Sequence, residues 1–557
     1  MLPLSWPPRD ADHLLVSSAQ MAALEQQLFA SGLPVEALME KAALTLAQRL
    51  LLGPMGPQLH QNGAVVLVGP GHNGGDGLVI ARELHLAGVA TRIWCPYERL
   101  KPLTAAHLRH ALWLGIPRLE QPPQAADRAL WIDALFGIGQ TRRPDQSWEG
   151  LENLLAARQQ QRPGSLVAVD VPTGLCADSG QRLGSQAACA GLTACIGLLK
   201  QGLVQDQALA WVGELERIDL GLPPQLLQSL EPHQPLGLRP GDAASAPWPS
   251  SATAAGKYQR GRLLVIAGSP AYPGAAQLCL AGASASGCGS LRAAVPAAVA
   301  QQLWSVQPHV VLSASLGGLH QGGVHLGDLP ATALQRLDAV ALGPGIGPGP
   351  DATDGEAALA ADHQAWHQLQ RFEGLLLLDA DGLNRLAQRG EPSNWLQGRR
   401  GPSWITPHRG EFDRLFPELA GEPPLEAAAT AAQASGCAVV LKGAHTVVAS
   451  PDGHRWQLLE AEVHAARAGL GDVLAGYAAG RAALAATGDA VLLAAAALNH
   501  AAAGLRAVAN RGMGGGTPMA IATALAAEAM QKQHKAEKST FRKLVEAQML
   551  TNAQVSS

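Results

Sequence analysis

A carboxylate stands beside a glycine-rich turn in the stretch ARAGLGDVLAGYAAG, which contains Gly469, Gly471 and Asp472. An apolar helix is predicted to follow this turn directly. Backbone N–H groups at the start of a helix attract the negative charge that develops on a transferred phosphoryl group. Asp472 is placed to take the proton from a hydroxyl group while that hydroxyl is phosphorylated. The alternative is a purely structural role, because an acid in the first turn also stabilises a helix.

A second glycine-rich turn, GPGHNGGDG, follows the predicted strand 64–69. Its glycines at Gly69, Gly71 and Gly74 match the G-x-G-x-x-G fingerprint of dinucleotide-binding turns, in which a helix N-terminus binds phosphate. The acid that usually binds ribose at the end of the next strand is missing, since TRIWCPYE offers only Glu98. An ordinary dehydrogenase is therefore not favoured, and a plain tight turn is the alternative.

Three polar side chains stand at or beyond the ends of three strands of the first half: Asn73, Asp133 and Thr173. Their oxygens are hard ligands that suit a monovalent or divalent cation. Each residue alone is more often a cap or turn residue. In open α/β sheets the carboxyl ends of parallel strands meet at one crevice, where ligands bind. Because all three residues are predicted to lie at this crevice, a shared ligand site is favoured. Asp170 ends the same strand that precedes Thr173, in VAVDVPTGL.

The bulk composition limits the function classes. A chain of 557 residues is too long for one core and predicts two domains. A formal net charge of −4 gives no electrostatic reason to expect nucleic acid or anionic lipid as a partner. The seven cysteines form no C-x-x-C pair, and the first residues lack a basic segment followed by a long apolar run. We therefore expect a cytoplasmic protein without a disulfide framework or a signal peptide.

The elements that must position these residues alternate between short apolar runs and amphipathic stretches, which predicts an α/β fold with parallel sheets. The predicted strands are 64–69, 91–95, 129–135 and 165–171 in the first half, and 262–268, 339–343, 374–380, 403–407 and 438–443 in the second.

The domain limits follow from composition. Residues 231–255 are rich in Pro, Ser, Ala and Gly, and the linker is placed at 236–255. The domains are then 1–235 and 256–530, followed by a polar tail at 531–557. The apolar stretch 489–510 contains Asn499 and His500, so we predict a buried helix rather than a membrane span.

The first half resembles the NAD(P)H-hydrate epimerase domain over roughly residues 15–220. The resemblance lies in ALMEKAA, GPGHNGGDG, DALFGIGQT and DVPTGL, and it implies a Rossmann-like three-layer αβα fold. It implies a potassium ion on Asn73, Asp133 and Thr173, and acid–base catalysis by Asp170 at C6 of the hydrated nicotinamide ring. The implied substrate-binding residues are His72, Asn73, Gly74, Gly75, Asp76, Gly137, Ile138, Gly139, Gln140, Thr141, Arg142, Arg143 and Asp170. His72 replaces the usual Asn of the family, and Thr173 replaces the commoner Ser.

The second half resembles the ribokinase-like, ADP-dependent NAD(P)H-hydrate dehydratases from residue 256 to about 525. The resemblance lies in GPGIG, LLDADGL, TPHRGEF, LKGAHTV and GLGD. It implies that the hydrated nucleotide contacts Ala276, Gly345, His408 and Asp472. It also implies that ADP or AMP contacts Lys442, Gly443, Ala444, His445, Thr446 and Gly471. His408 alone would more often be a turn residue, and Leu470 replaces the Ser or Thr that commonly precedes this Gly-Asp pair.

Together the two resemblances imply a fused repair enzyme. The first domain would interconvert the R and S hydrates of NADH and NADPH. The second would dehydrate the S hydrate, with ADP as cosubstrate and Mg²⁺ as the ion, and would form AMP and phosphate. No nucleic acid or membrane partner is expected, and Ala-rich surfaces predict a homo-oligomer. Two alternatives stay open: an ATP-dependent kinase of a small alcohol fused to a nucleotide-binding module, and a first domain that only binds a nucleotide or a protein.

Overall fold

The computed structural model describes residues 6–248, 256–460 and 462–527. These residues form two compact units. The N-terminal unit is Pro8–Gly237, and the C-terminal unit contains the residues from Leu238 onward together with Trp6 and Pro7. The predicted linker begins with a strand at Leu236–Leu238 and a 3₁₀ turn at Pro240–Ser245. The rest of the linker from 249 to 255 and the predicted tail at 531–557 lie outside the described residues, so the domain limits stay a prediction.

The N-terminal unit is built on a seven-stranded sheet in which all neighbouring strands are parallel. In spatial order its strands are Arg118–Leu119, Thr91–Trp94, Ala64–Val68, Leu130–Ala134, Leu166–Val169, Leu192–Ile196 and Glu214–Ile218. A separate parallel pair joins Leu15–Val16 to Leu199–Lys200.

Both faces of this sheet are buried, which is why its central strands are continuous apolar runs. Alternate residues of Ala64–Val68 point to opposite faces, so Val66 belongs to one hydrophobic cluster and Val65 to another. Helices Val35–Leu52 and His72–Leu86 cover the first face, while Leu151–Gln161 covers the second. The three layers predicted for this unit are therefore present. The remaining helices are Ser18–Ala30, Gly56–Asn62, Pro102–Trp113, Leu209–Val212 and Pro224–Gln228.

The C-terminal unit contains a ten-stranded sheet whose central strands are parallel. In spatial order its strands are Leu236–Leu238, Arg455–Leu458, Val447–Ala449, Ala438–Leu441, Ser403–Ile405, Leu375–Leu378, Ala339–Leu342, Arg262–Ile266, Ser290–Pro296 and Val311–Leu316. Antiparallel pairing joins Val447–Ala449 to both of its neighbours. The two-domain α/β prediction is thus confirmed.

Helices cover this second sheet as well. They are Pro273–Ala285, Ala297–Val306, Glu356–Arg371, Ala380–Gln388, Pro392–Gln397, Arg409–Leu415, Pro424–Ser435, Leu470–Ala485, Ala490–Arg511 and Pro518–Ala527. Helices Pro273–Ala285 and Leu470–Ala485 touch through their backbones: a Cβ on Gly476 would lie 1.9 Å from the Cys279 carbonyl oxygen, so only Gly fits there. This close packing holds the start of Leu470–Ala485, with Asp472, against the sheet.

The helix predicted at 489–510 is present as Ala490–Arg511. Among the described helices it alone is long and apolar enough to cross a membrane, and 67% of its most apolar window is buried inside the structure. It therefore packs as a core helix of the C-terminal unit, as predicted.

All nine strands predicted from the sequence are present, and each ends one or two residues before its predicted end. Asp170 consequently lies just beyond its strand, directly after Val169, whereas Asp133 lies within the last residues of the strand Leu130–Ala134. The strands that were not predicted from the sequence are short or lie toward the edges of the sheets. Glu214–Ile218, for example, is an edge strand that carries charge at Glu214, Glu216 and Arg217 and therefore lacks the apolar run of a central strand.

Candidate active sites

The first glycine turn is shorter than the sequence indicates, because the helix His72–Leu86 begins directly after its N-cap, Gly71. Asn73, Gly74, Gly75 and Asp76 are therefore residues of the first helical turns and not of a loop. The free N–H groups of a helix start point out of its N-terminal end and favour anions. The helix thus presents an anion-binding end at the carboxyl edge of the central strand.

A cavity of about 360 Å³ opens at this edge of the N-terminal sheet. Eight residues predicted for the substrate line it: His72, Asn73, Asp76, Gly137, Ile138, Gly139, Gln140 and Asp170. Gly74 and Gly75 are buried and, with Thr141, Arg142 and Arg143, do not line the cavity. Arg143 instead pairs with the buried carboxylate of Glu152, with 3.0 Å between Nε and Oε1.

Asp170 is held in an unusual backbone conformation at the centre of the cavity wall. Its φ of 69° lies in the left-handed region, which is uncommon for a residue other than Gly and is found at functional sites. Its Oδ1 accepts hydrogen bonds from Lys200 Nζ at 2.6 Å and from Ile196 N at 3.2 Å, and its Oδ2 accepts one from Ile138 N at 3.2 Å. These three donors fix the position of the carboxylate.

Lys200, which the sequence analysis did not single out, supplies the cation for Asp170. Its side chain is only 1% exposed, and it also donates to the Ile196 carbonyl. Despite its burial, the pKa of Lys200 lies above its ordinary value because of the Asp170 charge. The strand pair Leu15–Val16 and Leu199–Lys200 positions it. The one local signal was a lysine at the end of the apolar run ACIGLLK.

Asp133 and Thr173, both predicted cation ligands, lie together in the interior. Thr173 Oγ1 donates to Asp133 Oδ1 at 2.8 Å, and Thr173 N donates to Asp133 Oδ2 at 2.8 Å. Asp133 is 0% exposed and forms no ion pair with a described residue, and burial raises its pKa to about 6. Asn73, the third predicted ligand, has a buried Nδ2 without a hydrogen-bond partner and lies against Gly137 near Asp170.

In the C-terminal unit, Asp472 occupies the first turn of Leu470–Ala485, next to the N-cap Gly469. Gly469 has a φ of 90°, which favours Gly at this position. Burial and the nearby Asp379 carboxylate raise the pKa of Asp472 to about 7, against the opposing effect of Lys442. A carboxylate with a pKa close to neutrality is suited to act as a general base.

A lysine faces the start of the same helix. A Cβ on Gly471 would lie 3.2 Å from Lys442 Nζ, so the ammonium group lies directly against this turn. Lys442 Nζ pairs with Asp379 Oδ1 at 2.6 Å and lies 3.9 Å from Glu411 Oε2. Asp379 is further held by Thr406 Oγ1 at 2.9 Å, while its buried Oδ2 has no hydrogen-bond partner. Helix N–H groups and an ammonium group therefore converge beside a basic carboxylate.

The other predicted residues of this unit have varied surroundings. His408 caps the helix Arg409–Leu415, since its Nδ1 accepts hydrogen bonds from Gly410 N and Glu411 N, and its ring stays largely exposed. Gly345 packs on Tyr272 and Ala275, and Ala276 is fully buried. The predicted nucleotide residues Gly443, Ala444, His445 and Thr446 follow Lys442, and Thr446 Oγ1 donates to the Gly443 carbonyl at 2.8 Å.

Asp379, Thr406 and Glu411 were not predicted as site residues, although LLDADGL and TPHRGEF contain all three. Their signal was position, because Asp379 and Thr406 each follow the last residue of a parallel strand directly. A separate cavity of about 570 Å³ lies beside Asp381, Asn384 and Arg414 and is not lined by Asp472.

Comparison with known proteins gives matches over most of the chain. The family described as YjeF-related protein N-terminus matches residues 35–202, and the family described as NAD(P)H-hydrate dehydratase matches residues 263–527. A bifunctional NAD(P)H-hydrate repair enzyme from Gloeobacter violaceus is 41% identical over 466 residues, which cover 83% of this chain and 87% of that protein. One from Synechocystis is 42% identical over 476 residues, covering 84% and 85%. A solved ribokinase-like superfamily protein from Enterococcus faecalis aligns with 55% of this chain and 98% of its own at 20% identity, with a TM-score of 0.45.

Proposed function

The chain belongs to the family of bifunctional NAD(P)H-hydrate repair enzymes, and on this basis we propose which residues carry its two reactions. It repairs hydrated nicotinamide cofactors, with an epimerase domain in its N-terminal half and a dehydratase domain in its C-terminal half. The substrates are the R and S hydrates of NADH and NADPH, and ADP is the cosubstrate of the second domain.

Asp170 is the acid–base residue of the epimerase. It lines the cavity beside the helix start that would bind the dinucleotide phosphates, and three donors hold its carboxylate in place. A carboxylate fixed in the cavity wall can take a proton from the water that adds to C6 of the ring and, in the reverse direction, return that proton to the leaving hydroxyl. Loss of water from one face of C6 and its return to the opposite face would interconvert the two hydrates.

Asp472 is the base of the dehydratase. It takes the proton of the C6 hydroxyl as that oxygen attacks the β-phosphorus of ADP, and AMP leaves with the bridging oxygen. Lys442 and the N–H groups at the start of Leu470–Ala485 hold the negative charge that develops on the phosphoryl group. The ring nitrogen lone pair then expels phosphate, and loss of a C5 proton restores the 5,6 double bond. Phosphorylation thus converts a poor leaving group into a good one.

The observation that carries this proposal is the placement of Asp472 at a glycine-built helix start, with Lys442 against the same turn. The test is to incubate a mixture of R and S hydrates with ADP and to follow the reduced cofactor by its absorbance. We expect complete recovery of the cofactor together with AMP. Recovery of only the S fraction would exclude the epimerase, and formation of a stable phosphorylated alcohol with ATP would favour the kinase alternative.

A potassium ion on Asn73, Asp133 and Thr173 is consistent with the surroundings of Asp133. A fully buried carboxylate that has no described cationic partner and a raised pKa is stabilised by a bound cation. The ion would neutralise this charge. Asp133 and Thr173 hold the adjoining loops together through their own hydrogen bonds, and Gln140 adds two more, to Pro172 O and from Gly174 N.

Magnesium would arrive with the phosphates of ADP and lower their charge repulsion, as is usual for this ion. Among the described residues, no group of three or more His, Cys, Asp or Glu side chains is arranged to hold a metal ion.

Thr173→Val tests the potassium proposal. Because the variant removes one predicted ligand oxygen, we expect epimerisation and the thermal stability of the N-terminal unit to lose their dependence on KCl, compared with tetramethylammonium chloride at equal ionic strength. The control is Thr193→Val, which removes an equally buried hydroxyl that donates to Val212 O at 2.7 Å. This control keeps the potassium response. A wild-type enzyme that is indifferent to potassium would refute the site.

The dehydratase has an expected pH dependence. The active form of a base is the ionised one, and the pKa of Asp472 is raised to about 7, so dehydration accelerates as pH rises through neutrality. For a single group of this pKa, kcat/KM increases about tenfold from pH 6 to pH 8. Asp379→Asn removes the charge that raises this pKa and shifts the midpoint to lower pH. A flat profile for the wild-type chain, measured from initial rates with the S hydrate, would contradict the role of Asp472.

A further inference from the structure

Glu25 shares the cavity of the N-terminal unit with Asp170. It lies on the helix Ser18–Ala30, well before the glycine turn, and is partly buried. Its carboxyl group forms no hydrogen bond or ion pair with a described residue. Burial and the charge of Asp170 raise the pKa of Glu25 to about 7, against the opposing effect of Lys200. A carboxyl group is thus aimed at the cavity without a structural partner.

The charges around this cavity do not balance. Three carboxyl groups, on Glu25, Asp76 and Asp170, line it, and the buried cation Lys200 is bonded to Asp170. The pKa of Asp76 is raised well above its ordinary value by burial and by the other two carboxylates. The remaining basic groups that line the cavity are Lys101 and His72, both exposed. Asp170 is therefore the carboxyl group that is paired with a cation, and Glu25 is one that can carry a proton near neutral pH.

Inversion at C6 requires both protonation states. The C6 oxygen must leave as water, which needs an acid, and water must return to the other face of the ring, which needs a base. Two carboxyl groups in different environments, one protonated and one ionised, divide these tasks in many enzymes.

We propose that Glu25 is the second acid–base group of the epimerase and acts on the face of the nicotinamide ring that Asp170 does not serve. This inference rests on the proposed function of Asp170. The ring nitrogen lone pair forms a C=N bond as the C6–O bond breaks, and the leaving hydroxyl takes the proton of Glu25 and departs as water. A second water attacks C6 from the opposite face, loses its proton to Asp170, and returns the electron pair to nitrogen. The reverse reaction uses the two carboxyl groups in exchanged roles.

Glu25→Gln in the full chain tests the proposal. It keeps the shape of the side chain and removes the transferable proton. We expect kcat for the conversion of R to S to fall by a factor of about 10² to 10³ with a nearly unchanged KM. Glu25→Asp recovers part of the rate. Dehydration of pure S hydrate, catalysed by the other domain, is unchanged. The matched control Glu214→Gln, at an exposed edge-strand position, leaves both rates unchanged.

Oxygen exchange tests the step that the proposal assigns to the two carboxyl groups, which is loss of water from C6 and its return. In H₂¹⁸O, the S hydrate formed by the wild-type enzyme at early times carries one ¹⁸O at C6, as measured by mass spectrometry. Retention of ¹⁶O, or a Glu25→Gln rate within threefold of wild type, would overturn the proposal. A wild-type chain that dehydrates the S hydrate but does not convert R to S would instead refute the proposed epimerase itself.

Discussion

Asp472→Asn should reduce dehydration of the S hydrate by about 10³-fold while the conversion of R to S continues at the wild-type rate. General-base catalysis contributes roughly 10² to 10⁴ in rate, and Asn cannot accept the proton of the C6 hydroxyl. The substitution keeps the size of the side chain at the start of Leu470–Ala485. Binding of the substrates should therefore change little, and the loss should appear in kcat.

Stability separates this result from simple misfolding. The pKa of Asp472 is raised from its ordinary value of 3.8 to about 7 in the folded chain, so the free energy of unfolding falls as pH rises between these two values, and the full cost of the buried carboxylate is present above pH 7. Asp472→Asn removes this cost, and we expect the C-terminal unit to be more stable at pH 8 by on the order of 1–3 kcal/mol. Loss of activity with a gain in stability is the signature of a residue selected for function.

The matched control is Asp489→Asn, which changes an acid at the start of another helix of the same unit, where it caps Val491 N at 3.0 Å. Asn is as good an N-cap as Asp, so both activity and stability should stay unchanged. A dehydration rate within fivefold of wild type for Asp472→Asn would leave this residue with only a structural role.

The sequence predicts the positions of the sites better than their electrostatics. Parallel strands place their carboxyl ends at one edge, so Asp133, Asp170 and Thr173 could be grouped from strand ends alone. Most residues of the nine predicted strands are apolar, because both faces of the sheets are buried. Short or charged edge strands such as Glu214–Ile218 lack that signal.

The partners of the site carboxylates could not be predicted in the same way, because they come from distant parts of the chain. Lys200 reaches Asp170 through the pairing of Leu199–Lys200 with Leu15–Val16, and Glu25 reaches the cavity from a helix near the start of the chain. Lys442 and Asp379 are likewise 63 residues apart. A local pattern shows where a strand ends but does not show which charge faces it across the fold.

The pair of Asp170 and Lys200 leads to the second large expected effect. In Lys200→Met, the Asp170 carboxylate keeps its backbone hydrogen-bond donors but loses its cation. The pair is buried, since the lysine side chain is only 1% exposed. Removing one partner of a buried ion pair costs about 3–5 kcal/mol. We expect the N-terminal unit to lose this much stability, measured by hydrogen exchange in the strand Leu166–Val169. Epimerisation should fall below detection, because Asp170 loses the ammonium group that fixes its carboxylate.

The double variant Asp170→Asn with Lys200→Met distinguishes a charge effect from a packing effect. Asp170→Asn alone leaves the buried ammonium group of Lys200 without its counter-charge and should destabilise the unit by a similar amount. When both charges are removed, no uncompensated ion remains, so the double variant should be more stable than either single variant, with a coupling energy of about 2 kcal/mol or more. Activity does not return, because Asn cannot carry the proton. Additive losses of stability would mean that Lys200 contributes through its packing alone, and that the N–H groups of Ile138 and Ile196 are sufficient to hold the Asp170 carboxyl group.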